Sequence, residues 1–474
     1  MEADRHPRAP GILGAILLAG LGASPVAAPF PHSAAPAQAA RVNATTAEVA
    51  QARRGHRISA EFFGMTVRAG PRSARSWPAA NGITIGTLGK TMGGLWPFVE
   101  RYQGNYNWTP LDNVVTQAHS YGIRSIVYTF LGVPPFESSD PRCAGLTRQP
   151  VCPGPPRSQQ DFMRFVTALV TRYKGRISAY EMWNEGNRPM MWRGGAAELA
   201  QLQQTTYRVI KSIDPQAKVL TASPVLAPNF ASWLKEYFQN VRSGGTVYAD
   251  GVSWHGYHCA DGQITCFHGT ACDQNPLDCA GAPLINQIAT VRKTESESRL
   301  DLPLFDTEGG WQQNRVIGDD PNHQAAYISR WYIIQAGERV TTAIWYGWGT
   351  GGGRDPATGC PTCANGWGGI FDEATGRPTP AAAAYETTYR WLVGSTMDGP
   401  CSADAGNVWT CELTLSSGRA AMVVWNGNET TGSYQPAQQF VQYETLAAPA
   451  PKPISAGRVT ISEEPILLEA GGRP

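Results

Sequence analysis

Charge is the scarcest commodity in this chain of 474 residues. Asp, Glu, Lys and Arg together make up 16% of it, against roughly 25% in an average soluble protein. The formal net charge is +1, so no basic face is on offer for nucleic acid or an anionic membrane surface. Motifs are missing as well. There is no H-E-x-x-H, no calcium-binding EF-hand loop and no phosphate-cradling glycine turn, which leaves no signature of a metal or nucleotide cofactor. No G-x-S-x-G elbow is present, and a Ser/His/Asp hydrolase is a poor fit without one. Beyond the first few dozen residues, no apolar run is long enough to cross a bilayer.

The one apolar run, Gly11 to Ala23, is short for a membrane span. Arg5 and Arg8 precede it, diluted by Glu2 and Asp4, and two small-x-small sites follow at Val26-Ala27-Ala28 and Ala37-Gln38-Ala39. This pattern predicts a secretory signal and leader over residues 1–39, then a linker over 40–57. The cysteines agree with export. There are ten, closely spaced: Cys143 with Cys152, the group Cys259, Cys266, Cys272 and Cys279, Cys360 with Cys363, and Cys401 with Cys411. Local disulfide staples in an oxidising compartment account for such spacing. Secreted or periplasmic localisation follows. Nothing points to an oligomeric state.

From residue 58 onward, strand-like and helix-like runs alternate. The strand candidates are Glu61–Thr66, Ile83–Leu88, Arg124–Phe130, Ile177–Trp183, Lys218–Ala222, Gly251–Trp254, Leu302–Asp306 and Thr342–Trp345. Helical periodicity lies between them. Ser158–Tyr173 opens on an N-cap serine and sets Phe162, Phe165, Val166, Leu169 and Val170 on one face. Eight such units predict an α/β fold, a (β/α)₈ TIM barrel spanning residues 58–395. The alternative, a doubly wound open sheet, would ordinarily show a glycine-rich turn after the first strand, and Phe63-Gly64-Met65-Thr66 does not supply one. From about Gly394 the texture becomes short and β-like, with turns at Ser416-Ser417-Gly418 and Asn426-Gly427-Asn428. A small antiparallel β domain over 396–474 is expected, and Arg57–Glu61 is a candidate extra strand for it. Three long loops, Val133–Arg157, His255–Ala282 and Gly347–Arg377, leave the C-terminal ends of strands. They carry eight of the ten cysteines and are placed to wall a cleft.

Two glutamates stand out at strand ends. Glu185 closes Glu181-Met182-Trp183-Asn184-Glu185, and Glu308 closes Phe305-Asp306-Thr307-Glu308. Barrel enzymes place reactive groups at the C-terminal ends of strands, and two carboxylates facing one bond are what glycoside hydrolysis requires. The chain is also rich in tryptophan (15) and tyrosine (17), which fill cores and, in a few places, stack on sugar rings.

The Trp183-Asn184-Glu185 pattern on the fourth strand, with a second glutamate on the seventh, resembles the clan A glycoside hydrolases, retaining enzymes built on a barrel. Three further segments resemble family 39 and its relatives. They are Phe62-Phe63-Gly64-Met65, Gly104-Asn105-Tyr106-Asn107-Trp108-Thr109-Pro110-Leu111-Asp112 and Asp250-Gly251-Val252-Ser253-Trp254-His255-Gly256-Tyr257. The resemblance implies Glu185 as general acid/base and Glu308 as nucleophile, with a carbohydrate substrate, no cofactor and no metal. It implies that Asn184 hydrogen-bonds the substrate 2-hydroxyl, that His255 or Tyr257 supports the nucleophile, and that Trp345 floors the −1 subsite. Substrates expected from it are β-xylosides, uronides, arabinosides or an exopolysaccharide. Relatives carry an arginine on strand two. Here Lys90 stands nearby, and an ammonium does not reproduce a guanidinium fork. Glu61 is expected to enter the site or pair with Lys90. Trp192, Trp311, Trp348 and Trp367 are open either to outer subsites or to loop packing. Asp306 reads as facing the barrel interior or a charged neighbour, and Glu181, two residues before the active end of its strand, reads as structural. Two other readings stand beside hydrolysis: a barrel that binds carbohydrate without catalysis, motivated by the altered strand two, and transglycosylation.

Overall fold

The structure is a computed structural model. It describes residues 55–67, 77–90, 94–144, 146, 151–257, 283–310, 321–349, 369–372, 375–428, 430–448 and 450–471. The expected signal and leader, the cysteines at 259–279 and at 360 and 363, Trp311 and Trp367 lie outside the described residues.

Eight parallel strands form one sheet: β1 Phe63–Thr66, β2 Thr87–Gly89, β3 Ser125–Thr129, β4 Ala179–Glu181, β5 Lys218–Leu220, β6 Val252–His255, β7 Leu304–Gly309 and β8 Thr342–Tyr346. Neighbours pair in sequence order, and β8 returns to β1 in parallel with Tyr346 opposite Thr66. Parallel bridges Leu220–Gly251 and Val225–His255 join β5 to β6 and close the ring. The fold is therefore the expected barrel. Among the described residues, seven helices of eleven residues or more surround it: α1 Thr109–Ser120, α2 Gln159–Tyr173, α3 Ala196–Ile213, α4 Phe230–Asn240, α5 Pro283–Glu297, α6 Pro321–Gly337 and α7 Pro380–Leu392. In α2 the Ser158 hydroxyl accepts the Gln160 N–H at 3.1 Å, satisfying one orphan donor of the first turn. Its apolar row Phe162, Phe165, Val166, Leu169 and Val170 is buried.

Strand alternation sorts the barrel interior into layers. Val127, Ala179, Leu220, Phe305 and Ile344 form an apolar layer inside the ring. Two residues further along, Thr129, Glu181 and Thr307 make a polar layer. The buried Glu181 carboxylate accepts from the Thr129 hydroxyl at 2.7 Å and from the Thr307 hydroxyl, so a charge that would be costly alone is hydrogen-bonded. It is structural, as its position in the strand suggests.

The C-terminal region is an antiparallel sheet built on β9 Thr396–Met397, β10 Val408–Thr414, β11 Ala420–Asn426, β12 Phe440–Thr445 and β13 Ile466–Ala470. His56–Arg57 pairs antiparallel with Met397 and Thr396, so the segment just before the barrel adds the extra strand. Residues 50–474 form one compact unit. Two of the expected staples are present as disulfides, Cys143–Cys152 and Cys401–Cys411. Among the described residues, no helix is long and apolar enough to cross a membrane.

Candidate active site

The site sits on the third layer, at the C-terminal ends of the strands. Two backbone devices put its carboxylates there. The first is in the turn after β4, where Glu185 has φ +47°. A left-handed conformation costs a non-glycine residue about 1–2 kcal/mol, so surrounding structure must hold it. Asn187 does much of that. Its side chain donates to the Val225 carbonyl at 2.8 Å and accepts the Val225 N–H at 3.1 Å, riveting this turn to the segment after β5. The second device is a bulge. Trp254 pairs with Asp306 but His255 pairs with Glu308, so Thr307 is the extra residue on β7. Such a bulge re-aims the side chains beyond it. Thr307 keeps its place in the polar layer, and Glu308 is turned into the site.

The two carboxylates meet through His255. Its Nδ1 lies 3.1 Å from Glu185 Oε1 and its Nε2 lies 3.8 Å from Glu308 Oε2. Coordinating atoms of Glu185, His255 and Glu308 all fall within 4.8 Å of one another. Tyr257 donates its hydroxyl to Glu308 Oε1 at 2.7 Å. Lys90, the residue after β2, also has a left-handed backbone (φ +42°). Its ammonium contacts both Glu308 Oε2 and Asn184 Oδ1 and lies 5.5 Å from the Tyr346 ring centre. The structure thus brings together Glu185, Glu308, Asn184, His255, Tyr257 and Lys90. Glu308 is 9% and Glu185 13% exposed at the side chain; both are nearly enclosed yet reach solvent.

A histidine nitrogen and two carboxylate oxygens converge here, a donor set of the kind that holds a cation. Lys90 already supplies a positive charge on Glu308 and Asn184, and the donor set is fitted to an ammonium.

Burial pushes the Glu185 carboxyl up, but the hydrogen bond from His255, the His255 charge, and the charges of Lys90 and Arg188 outweigh it. The net position is below the ordinary glutamate value. This departs from the expectation of a raised acid, and the cause is the cationic side of the site. Burial and the Lys90 charge lower His255 in turn.

Two expected site residues fall elsewhere. Trp345 is fully buried and packs edge-on against Trp331 of α6 (ring centres 5.6 Å, 81°) and beside Tyr327. It is core, facing the helices, and cannot floor a subsite. The residue that does face the site from β8 is Tyr346, which the sequence reading missed. The signal was in the alternation: Ile344 belongs to the interior layer, so Tyr346 shares its face and Trp345 does not. Glu61 is the second correction. It lies exposed in a 3₁₀ turn, Ala60–Phe62, at the entrance to β1, at the opposite end of the strand from the site. Lys90 pairs with Glu308 instead.

Trp192 and Trp348 are buried, packed on Trp183 and Phe371 respectively, which is the loop-packing alternative. Asp306 does not face the barrel interior: it alternates with Phe305 and Thr307 onto the helix-facing side, where it is fully buried, accepts the Gly256 N–H at 2.8 Å and meets the Gln335 side chain of α6. Burial raises it well above the usual carboxylate range, which fits a structural role. Arg188 is the other group not foreseen. It follows Glu185 by three residues in the same turn, and its charge acts on that carboxyl.

No known family model matches the chain, and no curated protein does. Solved structures do resemble it. A glucosidase from Croceicoccus marinus superposes with a TM-score of 0.57 at 13% identity, over 89% of this chain and 97% of that one. A family 51 alpha-L-arabinofuranosidase from Bifidobacterium longum gives 0.56 at 14% identity, over 88% and 98%. A glycoside hydrolase family 30 subfamily 8 xylanase from Clostridium acetobutylicum gives 0.56 at 11% identity, over 88% and 97%. At these identities the likeness carries the fold and no finer assignment.

Proposed function

We propose that this protein is an exported glycoside hydrolase that cleaves a poly- or oligosaccharide with retention of anomeric configuration. The observation that carries the reading is the short gap between the two carboxylates, whose oxygens approach within 4.8 Å. Retaining enzymes hold their carboxyls about 5–5.5 Å apart, and inverting enzymes need about 6.5–9.5 Å to admit a water.

In this reading Glu308 attacks the anomeric carbon while Glu185 passes a proton to the departing glycosidic oxygen. A covalent glycosyl–Glu308 forms and the C–O bond to the leaving group breaks. Glu185, now ionised, takes a proton from water, whose oxygen attacks the same carbon and frees Glu308. Tyr257 and Lys90 hold and aim the Glu308 carboxylate. Lys90 contacts Oδ1 of Asn184, and in this reading the amide nitrogen is the donor toward a sugar hydroxyl. Tyr346 offers the aromatic face on the strand-eight side. The resemblance to family 39 belongs to this proposal, as does export, which the disulfides Cys143–Cys152 and Cys401–Cys411 support.

The test is direct. A panel of aryl glycosides (xyloside, glucoside, arabinofuranoside, glucuronide) identifies the sugar, and proton NMR reads the first-formed anomer. Retention is expected; inversion would sink the reading. Glu185→Gln should lower turnover by about 10²–10⁴-fold, and Glu308→Gln by at least as much, because it removes the covalent step. A mechanism-based fluoroglycoside should label Glu308. A folded protein that is neither labelled nor active on any glycoside would favour the non-catalytic binding barrel.

A further inference from the structure

The outward face of α2 carries a groove that the proposed chemistry does not use. It is shallow and open to solvent, with a volume of about 800 Å³, and is lined by Trp108, Gln160, Met163, Arg164, Thr167, Ala168, Thr171 and Arg172. All but Trp108 come from the i, i+3, i+4 rows opposite the buried stripe Phe162–Val170. A solvent-facing helix row is ordinarily convex. Here the small residues Thr167, Ala168 and Thr171 make a floor, and longer side chains rise around it.

Three features define what fits. The first is a fixed aromatic plane. Trp108 is half-buried and stacked on Phe165 (6.0 Å, 11°), which stacks in turn on Trp96 (5.3 Å, 14°). Tyr106 closes against Trp108 at 5.3 Å. The indole is therefore held before any ligand arrives, and little ordering cost remains. The second is a pair of guanidinium–carboxylate contacts, one of them a fork. Arg172 makes a two-point pair with Asp112 of α1 (2.9 and 2.6 Å), and Arg164 pairs with Asp161. The arginine side chains are 44% and 42% exposed, so each contact still shows donors and acceptors to solvent. The third is charge. Each guanidinium in the groove is already met by carboxylate, Arg172 by Asp112 and Arg164 by both Asp161 and Glu137 (3.7 Å to the latter), which disfavours a polyanion and suits a neutral, hydroxyl-rich ligand.

We infer that this groove is a second carbohydrate-binding site, separate from the acid pair, that holds a neutral stretch of the polysaccharide against the outside of the barrel. An indole face packs on the C–H face of a pyranose, and the two guanidinium–carboxylate contacts and Gln160 meet its hydroxyls. Arg164 and Arg172 are eight residues apart on one helix, about 12 Å, a length that accommodates at least a disaccharide. The choice of ligand class rests on the glycosidase reading; the groove itself does not.

The test uses the full chain in affinity gel electrophoresis, with soluble xylan, arabinan or hydroxyethylcellulose cast in the gel. Glu308→Gln is the background, so that the polymer is not consumed. Thr167→Trp fills the floor from an exposed helix position. Arg164→Ala with Arg172→Ala removes both guanidinium–carboxylate contacts. Each change is expected to weaken retention by at least one of these polymers by roughly tenfold. In the active background each should leave kcat/KM on an aryl glycoside unchanged within about twofold. Retention unaltered by both variants, absence of retention in all three gels, or groove-dependent retention by dextran sulfate in place of neutral polymers would overturn the inference. If no aryl glycoside is turned over while groove-dependent retention persists, the hydrolase reading fails and the groove stands.

Discussion

Lys90 is the residue on which the electrostatics of the site turn. It sits on the nucleophile candidate, holds the Asn184 amide, and lowers both Glu185 and His255. A general acid works only while protonated, so kcat/KM falls as pH rises through its pKa. With Glu185 below its ordinary value, that loss should begin on the acid side of neutrality. Lys90→Met removes the cation and leaves Glu308 as an uncompensated negative neighbour; both effects raise Glu185. The basic limb of the pH–rate profile should therefore move to higher pH, even as the maximum rate drops about 10²-fold or more from a less well-held nucleophile. A limb that stays in place would show that another group sets it. The neighbouring aromatics divide just as cleanly. Trp345→Ala removes a core indole and should cost about 3–5 kcal/mol of stability, seen as a large drop in Tm. Tyr346→Ala should leave Tm nearly unchanged and lower kcat/KM by about 10–100-fold. The reverse pattern would restore Trp345 to the site.

At the scale of elements, the ends of β6 and β7 act as one part. Gly256 follows β6, and a Cβ there would overlap the Asp306 carboxylate, which is buried and bonded to the Gly256 N–H. Gly256→Ala should therefore displace the segment that carries both His255 and Tyr257. Activity should fall by orders of magnitude together with Tm, whereas Gly195→Ala, with open space around it, should leave activity intact. The same region shows why some of the arrangement was legible in the sequence and some was not. All eight strands could be placed because apolar runs of strand length recur between helical periods and turn residues. The bulge at Thr307 could not, because it depends on how β6 and β7 pair and not on either strand alone. Trp345 drew attention by being a tryptophan at a strand end. Its direction follows only once the register with Ile344 inside the ring is known. Glu61 was placed on strand one, but Glu61 and Phe62 are wound into a 3₁₀ turn and the strand begins only at Phe63. That turn lies at the wrong end for chemistry.

Over the whole molecule, the barrel and one face of the C-terminal sheet share a core, while the other face of the sheet carries a smaller cluster of its own around Val424, Phe440, Ile466 and Leu468. The cluster that contains Phe63, Trp183 and Trp331 also contains Trp409, Leu413, Val423, Trp425, Leu446 and Leu467. Polar contacts cross the same boundary. Trp391 Nε1 of α7 donates to Glu444 at 2.8 Å, the Thr387 hydroxyl donates to the Leu446 carbonyl at 3.2 Å, and His323 of α6 contacts Glu463. At the other end of the chain, His56–Arg57 pairs with β9. A boundary at 395/396 therefore marks a change of architecture through a continuous interior. Removing 396–471 would strip the cover from Trp391 and Leu392, which are 3% and 0% exposed, and would leave the first strand pair without its partner. Large apolar areas opened to water cost about 25 cal/mol per Å², which is more than the marginal stability of a domain tolerates. The full chain should accordingly unfold in one cooperative transition, with tryptophan fluorescence and far-ultraviolet circular dichroism coincident. A version ending at Ser395 should be insoluble or lack that transition. Two separate transitions in the full chain, or a soluble and active truncated barrel, would show that the two architectures are independent folding units.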